Sequence, residues 1–94
     1  MYHAYSQVPK GWHGIVDRLE ADLLALGWDG KVDQVKEKFG GLRFYISNGT
    51  SAMYERIEQA EIASQGTCQV CGAAGRTVDN GWLATLCEEH GKHA

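Results

Sequence analysis

The chain of 94 residues has little of several features that mark whole classes of protein. No apolar run approaches the length of a membrane span, so we expect no membrane association. No low-complexity segment or internal repeat is present, and proline occurs once. Nine basic against twelve acidic side chains give a formal charge of −3, which argues against sequence-independent nucleic-acid binding.

The length is also small for a protein that must bury a hydrophobic core. Ninety-four residues predict one domain with a modest core, and a metal site is a common way to stabilise such a chain. Residues 1–10 are too few and too polar for a secretory signal. We expect them to form an arm that is either mobile or packed on the core through its tyrosines.

Three cysteines and one histidine form the strongest pattern in the sequence. Cys68 and Cys71 make a C-x-x-C pair, and Cys87 and His90 repeat that separation after an x15 spacer. Four donors of this kind are what a closed tetrahedral zinc site requires. The pattern uses every cysteine of the chain and predicts one zinc ion bound by these four residues.

Two other uses of the cysteines fit the sequence less well. A redox pair at Cys68 and Cys71 would leave the second pair unexplained, and nothing nearby indicates a thioredoxin-like unit. A disulfide would leave one cysteine over, and no secretory signal indicates an oxidising compartment. Because a catalytic zinc keeps one coordination position open, four protein ligands predict a structural ion.

The segment between the two ligand pairs predicts a small hairpin. Residues 76–78 and 82–86 are typical of short strands, and the intervening Asp-Asn-Gly supplies the turn. A short helix starting at Cys87 would place Cys87 and His90 on one face, since positions i and i+3 are neighbours. A knuckle, a hairpin and a helix in this order resemble a treble-clef zinc finger.

The part of the chain before Cys68 predicts a helix, a hairpin and a second helix. Apolar residues recur at three- and four-residue steps from Trp12 to Leu26, which indicates an amphipathic helix stopped by Gly27. Its acidic residues are expected on the solvated face: Asp17, Glu20 and Asp22. Thr50 or Ser51 is expected to cap the second helix, which runs to about Ser64 with three residues inward: Met53, Ile57 and Ala60.

Alternation over residues 30–47 predicts the hairpin between these helices. Val35 and Phe39 have even spacing in the first run, and Gly40-Gly41 is the expected turn. In the second run the residues expected to face the first helix are Leu42, Phe44 and Ile46. No linker separates the second helix from the zinc knuckle. We therefore expect residues 1–66 and 67–94 to pack as one small α+β domain, with Trp82 and Leu86 at the joint.

The other face of the hairpin offers a candidate binding surface. It would show basic side chains interleaved with an aromatic ring, which could meet phosphates and stack on a base: Lys36, Lys38, Arg43 and Tyr45. Arg76 of the finger could add to it. The alternative is a solvated face whose charges protect a sheet edge. Asp33 and Glu37 lie close in sequence and nearly cancel the local charge, which favours the solvated face.

Several stretches together resemble a family of small uncharacterised proteins encoded by bacteriophages, prophages and bacteria. They are the Gly11-Trp12 start, the run from Val35 to Tyr45 that contains Lys-Glu-Lys-Phe-Gly-Gly-Leu-Arg-Phe-Tyr, and the ending with its four zinc ligands, Gly72, Gly81-Trp82 and Leu86. The resemblance covers about residues 11–90. It implies a phage or mobile-element setting and a bacterial cytoplasm, and it brings no established activity.

No enzyme or small-molecule substrate is indicated by the remaining residues. Treble-clef nucleases resemble the scaffold but add a histidine base, whereas no histidine lies between Cys71 and Cys87. The spare histidines lie near the ends or at a helix start: His3, His13 and His93. Two hypotheses remain, a module that binds and modulates a host protein of defence or transcription, and a nucleic-acid-binding zinc finger. The charge favours the first.

Overall fold

In the computed structural model of the protein, the described residues are 8–79 and 81–91. One 3₁₀ turn at Lys10–Trp12 precedes the elements, which are, in chain order, α1 His13–Ala25, β1 Gln34–Lys38, β2 Gly41–Tyr45, α2 Ser51–Ser64, β3 Arg76–Asp79, β4 Leu83–Leu86 and α3 Glu88–Gly91. This order confirms the α+β class expected from the sequence. Some residues discussed above lie outside the described residues: the tyrosines of the expected arm, His3, Asn80 of the expected turn, and His93. No helix in the described ranges is both long and apolar enough to cross a bilayer.

The first helix buries the apolar stripe that its periodicity predicted. Its inward residues join those of the hairpin and α2 in one core: Trp12, Ile15, Val16, Leu19, Leu23, Val35, Leu42, Phe44, Met53, Ile57 and Ala60. The prediction was wrong for Leu26, which is exposed. Gly27 turns the chain at φ 101°, and Trp28 folds back to donate its backbone N–H to Leu23. Trp28 therefore joins the core, whereas Leu26 does not.

Glu20 is the second correction on this helix. The acidic residues of α1 were expected on the solvated face, yet Glu20 is 8% exposed and its Oε2 has no hydrogen-bond partner among the described residues. Asp17 and Asp22 are exposed as expected. Arg56 of α2 donates Nε to Asp22 Oδ2 at 2.7 Å and so links the two helices.

The first hairpin has the expected faces but a different turn. Val35 pairs with Phe44 and Lys36 with Arg43, so β1 and β2 are antiparallel. The turn residues are Phe39 and Gly40, with φ of 54° and 82°, whereas Gly41 pairs with Lys38 inside the ladder. A two-residue turn of this kind requires positive φ at both positions, so the Gly40-Gly41 turn was wrong by one residue. Phe39, expected in the strand, is 66% exposed at the turn.

The second helix covers the free edge of β2. Thr50 caps it, as expected, by accepting the Met53 backbone N–H at its Oγ1, a contact of about 1 kcal/mol. Near the other end, Ser64 Oγ accepts the backbone N–H of Leu42 and Glu61 Oε2 accepts that of Phe44. Side chains of α2 thus replace the missing neighbouring strand.

The joint between the two halves differs from the predicted one. Trp82 is 66% exposed and does not lie there, although Leu86 is buried beside the cysteines. Instead, the Trp12 indole donates to the Thr67 carbonyl at 2.8 Å, and Gly11 donates its backbone N–H to Gln69. On the other side, residues Thr85 and Gly40 connect the two hairpins: Thr85 Oγ1 donates to the Gly40 carbonyl at 2.6 Å. Backbone polar groups, a buried indole and a buried hydroxyl form this joint.

Candidate metal centre

The first two candidate ligands lie on a tight knuckle before β3. Cys68 donates its backbone N–H to Ala73, and its carbonyl accepts from Gly72, which has φ of 85°. Thr67 and Ala74 close the knuckle with a β-bridge. Gly72 takes this left-handed conformation without the cost that a side chain would add. The turn therefore brings Cys68 and Cys71 to one side of the knuckle.

The other two candidates lie where β4 passes into α3. Cys87 follows the strand directly, and the four-residue α3 carries His90 one turn later. The backbone N–H of His90 points at the Cys87 sulfur at 3.4 Å, and Gly91 donates to the Cys87 carbonyl. The i, i+3 spacing thus places thiol and imidazole on the same side, as the sequence predicted.

The four ligand atoms form a compact cluster. All of them lie within 4.8 Å of one another. The sulfurs of Cys71 and Cys87 are 3.8 Å apart, and His90 Nδ1 is 3.2 Å from the Cys87 sulfur and 3.6 Å from the Cys68 sulfur. A tetrahedral ion with Zn–S bonds near 2.3 Å separates its sulfurs by about 3.8 Å. The geometry is therefore compatible with a metal ion held by three sulfurs and Nδ1.

The surroundings of two cysteines favour the thiolate that a metal ion needs. Burial opposes ionisation of Cys68, but backbone N–H groups, led by that of Cys71, outweigh it and lower its pKa to about 6. The backbone N–H of His90 lowers the pKa of Cys87. Contacts with Cys87 and then Cys68 raise the pKa of His90, because imidazolium is stabilised beside these sulfurs. Metal binding would displace that proton.

A small apolar cluster and close backbone packing hold the four residues in place. Cys68 is fully buried and Cys87 nearly so, against Ala84 and Leu86, while Cys71 is exposed. A Cβ atom on Gly11 would clash with the Cys68 carbonyl oxygen. The knuckle therefore packs closely against the 3₁₀ turn that precedes α1.

The candidate binding residues of the first hairpin lie together on its outer face. Lys36 and Arg43 are paired across the strands, with Lys38 and Tyr45 on the same face by the two-residue alternation. Arg76 lies elsewhere. It belongs to the second hairpin, on the face opposite to Thr77 and Thr85, which contact Gly40. The structure thus groups four of the five residues.

Several residues that matter to the site gave no signal in the sequence. Gly11 and Gly40 admit close backbone approach to Cys68 and Ala84, and Thr85 joins the two hairpins. A glycine before a helix or within a turn is already explained by the local backbone conformation. Its position in the sequence therefore does not reveal a long-range contact. The buried hydroxyl of Thr85 likewise has an ordinary place in a strand.

Comparison with known proteins adds no relative. The chain matches no protein-family model, and searches of curated proteins and of solved structures return no match. The site is therefore interpreted from its own geometry.

Proposed function

We propose that the Cys68, Cys71, Cys87 and His90 cluster holds one structural zinc ion. Three thiolates and one imidazole are the donors of a common closed zinc site, and the 3.8 Å between the Cys71 and Cys87 sulfurs fits its tetrahedral geometry. The order of knuckle, hairpin and short helix agrees with a treble-clef arrangement. All three cysteines are free thiols, which suits a reducing compartment.

Zinc content and folding of a ligand variant test this proposal. The purified chain should contain one zinc per molecule, and Cys71→Ser should lose both the metal and cooperative unfolding. Val70→Ser is the matched control, because Val70 is an exposed neighbour that is not among the four ligand residues. A native chain that is folded and metal-free after purification in zinc-supplemented medium would contradict the proposal.

We further propose that the protein is a non-enzymatic module that binds another protein. The observation that supports this is the tip patch, defined as Phe39, Trp82 and Leu83. Phe39 and Trp82 are each 66% exposed, on turns of two hairpins that touch where Gly40 meets Ala84 and Thr85. Exposed aromatic side chains on a rigid support are typical of binding hot spots.

The expected partner is a protein of a bacterial host. This part of the proposal follows from the resemblance to phage- and prophage-encoded proteins and places the chain in the bacterial cytoplasm. A zinc ion with four protein ligands offers no coordination position for a reacting water. The zinc therefore acts through the shape that it stabilises.

Capture from a nuclease-treated bacterial lysate tests the role of the tip patch. The zinc-loaded chain should retain a specific protein, and Phe39→Ala with Trp82→Ala should lose it. Ile62→Ala is the control, because Ile62 is 62% exposed on α2 but lies outside the tip patch. Equal capture by the tip variant and the control would contradict binding through this patch.

A second candidate function, nucleic-acid binding, gains support from one observation. The carboxylates expected to cancel the charge of the hairpin face lie away from it. Glu37 belongs to the opposite face and accepts the Gly40 backbone N–H, and Asp33 precedes β1 and accepts from Ser47. No described residue forms an ion pair with the three cations of this face.

Salt-dependent binding to single-stranded DNA and RNA separates this candidate from the first. Phosphate binding weakens steeply with salt, and Arg43→Gln should lower the salt slope by about one. Lys31→Gln is the control, because it removes one exposed cation outside the hairpin face. Absence of binding at low salt would exclude the candidate.

A further inference from the structure

The outer edge of β3 carries an open row of backbone hydrogen-bonding groups. The backbone N–H of Thr85 donates to the Gln69 side chain and its carbonyl accepts from the Gln69 backbone, so both point away from β3. Thr85 and its partner Thr77 are therefore a pair without backbone hydrogen bonds between them. The bonds that join β3 to β4 are made by the pairs on either side. It follows that Thr77 and Asp79 direct their backbone N–H and C=O groups outward.

This edge is exposed. Thr77 and Asp79 are both exposed, and no residue in the described ranges bonds to their backbone groups. Ser64 and Glu61 bond to the outer edge of β2, and Gln69 bonds to that of β4. The outer edge of β1, where Val35 and Glu37 direct their backbone groups outward, receives no bond from a described residue either, but Val35 is buried and Glu37 half-buried. An exposed edge of this kind is a template for another strand.

The two faces beside this edge differ in chemistry. On one face, a cleft of about 680 Å³ opens between β3 and α3, lined by Val78, Leu86, Arg76 and Glu88 among others. Its volume suits side chains rather than a folded domain. On the other face, the turn that carries Phe39 packs over Thr77 through Gly40. A strand beside β3 would meet the cleft on one face and the turn of the first hairpin on the other.

We propose that an extended segment of a partner protein adds to β3 as a strand. Only an extended backbone offers donors and acceptors at the two-residue spacing of Thr77 and Asp79. Apolar side chains at alternate positions would enter the cleft, and an acidic one would pair with Arg76, which has no ion-pair partner among the described residues. The edge ends at Asp79, which pairs with Leu83 of the tip patch, so the two surfaces adjoin. The inference rests on the proposed protein-binding function.

Selection of short random peptides on the zinc-loaded chain tests the inference directly. Enriched peptides should alternate apolar residues and carry an acidic one. In amide-exchange NMR, a bound peptide should slow exchange of the Thr77 and Asp79 N–H groups at least tenfold. Methylation of the peptide nitrogens that face β3 should abolish binding, whereas methylation of the alternate nitrogens should not. This readout needs no change in the protein and so is independent of variant folding.

A variant on the protein side supplies the second readout. Thr77→Pro removes an outward N–H that β4 does not use, and it should weaken peptide binding at least tenfold. Lys31→Gln should bind as the native chain does.

Three outcomes would overturn the inference. The first is that no peptide is enriched. The second is that enriched peptides leave the Thr77 and Asp79 amides unprotected but lose binding with Trp82→Ala, which would sustain the protein-binding function through the tip patch alone. The third is concentration-dependent protection of these amides without peptide, which would assign the edge to a second copy of the chain. Failure of the lysate capture, by contrast, would count against the proposed function itself.

Discussion

At the scale of single residues, Gly11 shows how close the two halves of the chain come. Its backbone N–H bonds to the Gln69 carbonyl, and the space for a side chain is filled by the Cys68 carbonyl. Main-chain atoms of the knuckle cannot move aside as a flexible side chain would. The tolerance of this position for a methyl group is therefore low.

We expect Gly11→Ala to destabilise the zinc-loaded protein by about 3 kcal/mol, because the methyl group forces the knuckle away from α1. Gly14→Ala is the matched control, since a Cβ there meets only the flexible side chain of Arg18 and alanine favours the helix. Denaturant unfolding at fixed zinc concentration measures both. Equal stability of the two variants would show that the knuckle yields without cost.

Glu20 is a buried carboxyl group whose environment raises its pKa. Burial is the larger cause and the negative charge of Asp17 adds to it, so the pKa lies above its usual 4.5. The folded state then holds this proton more tightly than the unfolded chain. The resulting stabilisation is complete below about pH 4.5 and is lost as the pH rises through the raised pKa.

Glu20→Met should therefore stabilise the protein at pH 8 by about 1 kcal/mol, since it removes a buried oxygen without a partner among the described residues. The difference from the native chain should shrink toward pH 5. Unfolding of both proteins at each pH gives the difference directly, so that the pH dependence of zinc binding cancels. Glu58→Met, at an exposed position of α2, should show no such trend.

At the scale of elements, the contact between α2 and β2 determines how the hairpin is held. A two-stranded sheet is marginal in water by itself. Here Ser64 and Glu61 accept the backbone N–H groups that a third strand would have bonded, and Ser64 is fully buried. The helix thus covers the edge of the sheet as well as its apolar face.

Ser64→Ala should cost about 2 kcal/mol, because the buried Leu42 N–H loses its acceptor. Ser51→Ala is the control, as Ser51 is exposed at the start of the same helix where Thr50 provides the cap. Denaturant midpoints of the zinc-loaded proteins measure both changes. A Ser64→Ala midpoint equal to that of the control would mean that water replaces the hydroxyl.

At the scale of the whole molecule, two hydrogen-bonded contacts couple the cluster of candidate ligands to the rest of the fold. Trp12 and Gly11 contact the knuckle at one point, and Thr85 contacts the Gly40 carbonyl at another. The first holds the core residue Trp12, and the second holds the turn of the first hairpin, against the segment that carries the four candidate ligands. If residues 1–66 and 67–94 form one unit, as predicted, loss of the metal should destabilise α1 as well as the finger.

Zinc should slow amide exchange in α1 as well as in the finger, by at least about tenfold for buried positions such as Leu19 and Leu23. Exchange measured by mass spectrometry, with and without a chelator, provides the comparison. If chelation releases residues 67–91 while α1 keeps its protection, the two parts are separate units. Thr85→Val should reduce the effect of zinc on α1, because it removes one of the two contacts.

Much of the fold was predictable because it depends on local chemistry. The helical stripe from Trp12 to Leu23, the Thr50 cap and the alternation in β2 follow from neighbours in sequence. Apart from the burial of Glu20, the errors have a shared cause. Trp28, Phe39 and Trp82 are large and apolar, and which of them enters the core depends on where a turn points the chain. A one-residue shift of a turn exchanges a buried residue for an exposed one.

The sequence by itself determined the α+β order of elements and the cluster of Cys68, Cys71, Cys87 and His90, because ligand spacing and side-chain periodicity are local properties. Tertiary structure alone decided the contacts of Gly11 and Thr85, the burial of Glu20 and the open edge of β3. These depend on which backbone groups meet after the chain has folded back on itself. The side-chain pattern does not specify which backbone groups pair, since nearly every residue offers the same N–H and C=O groups.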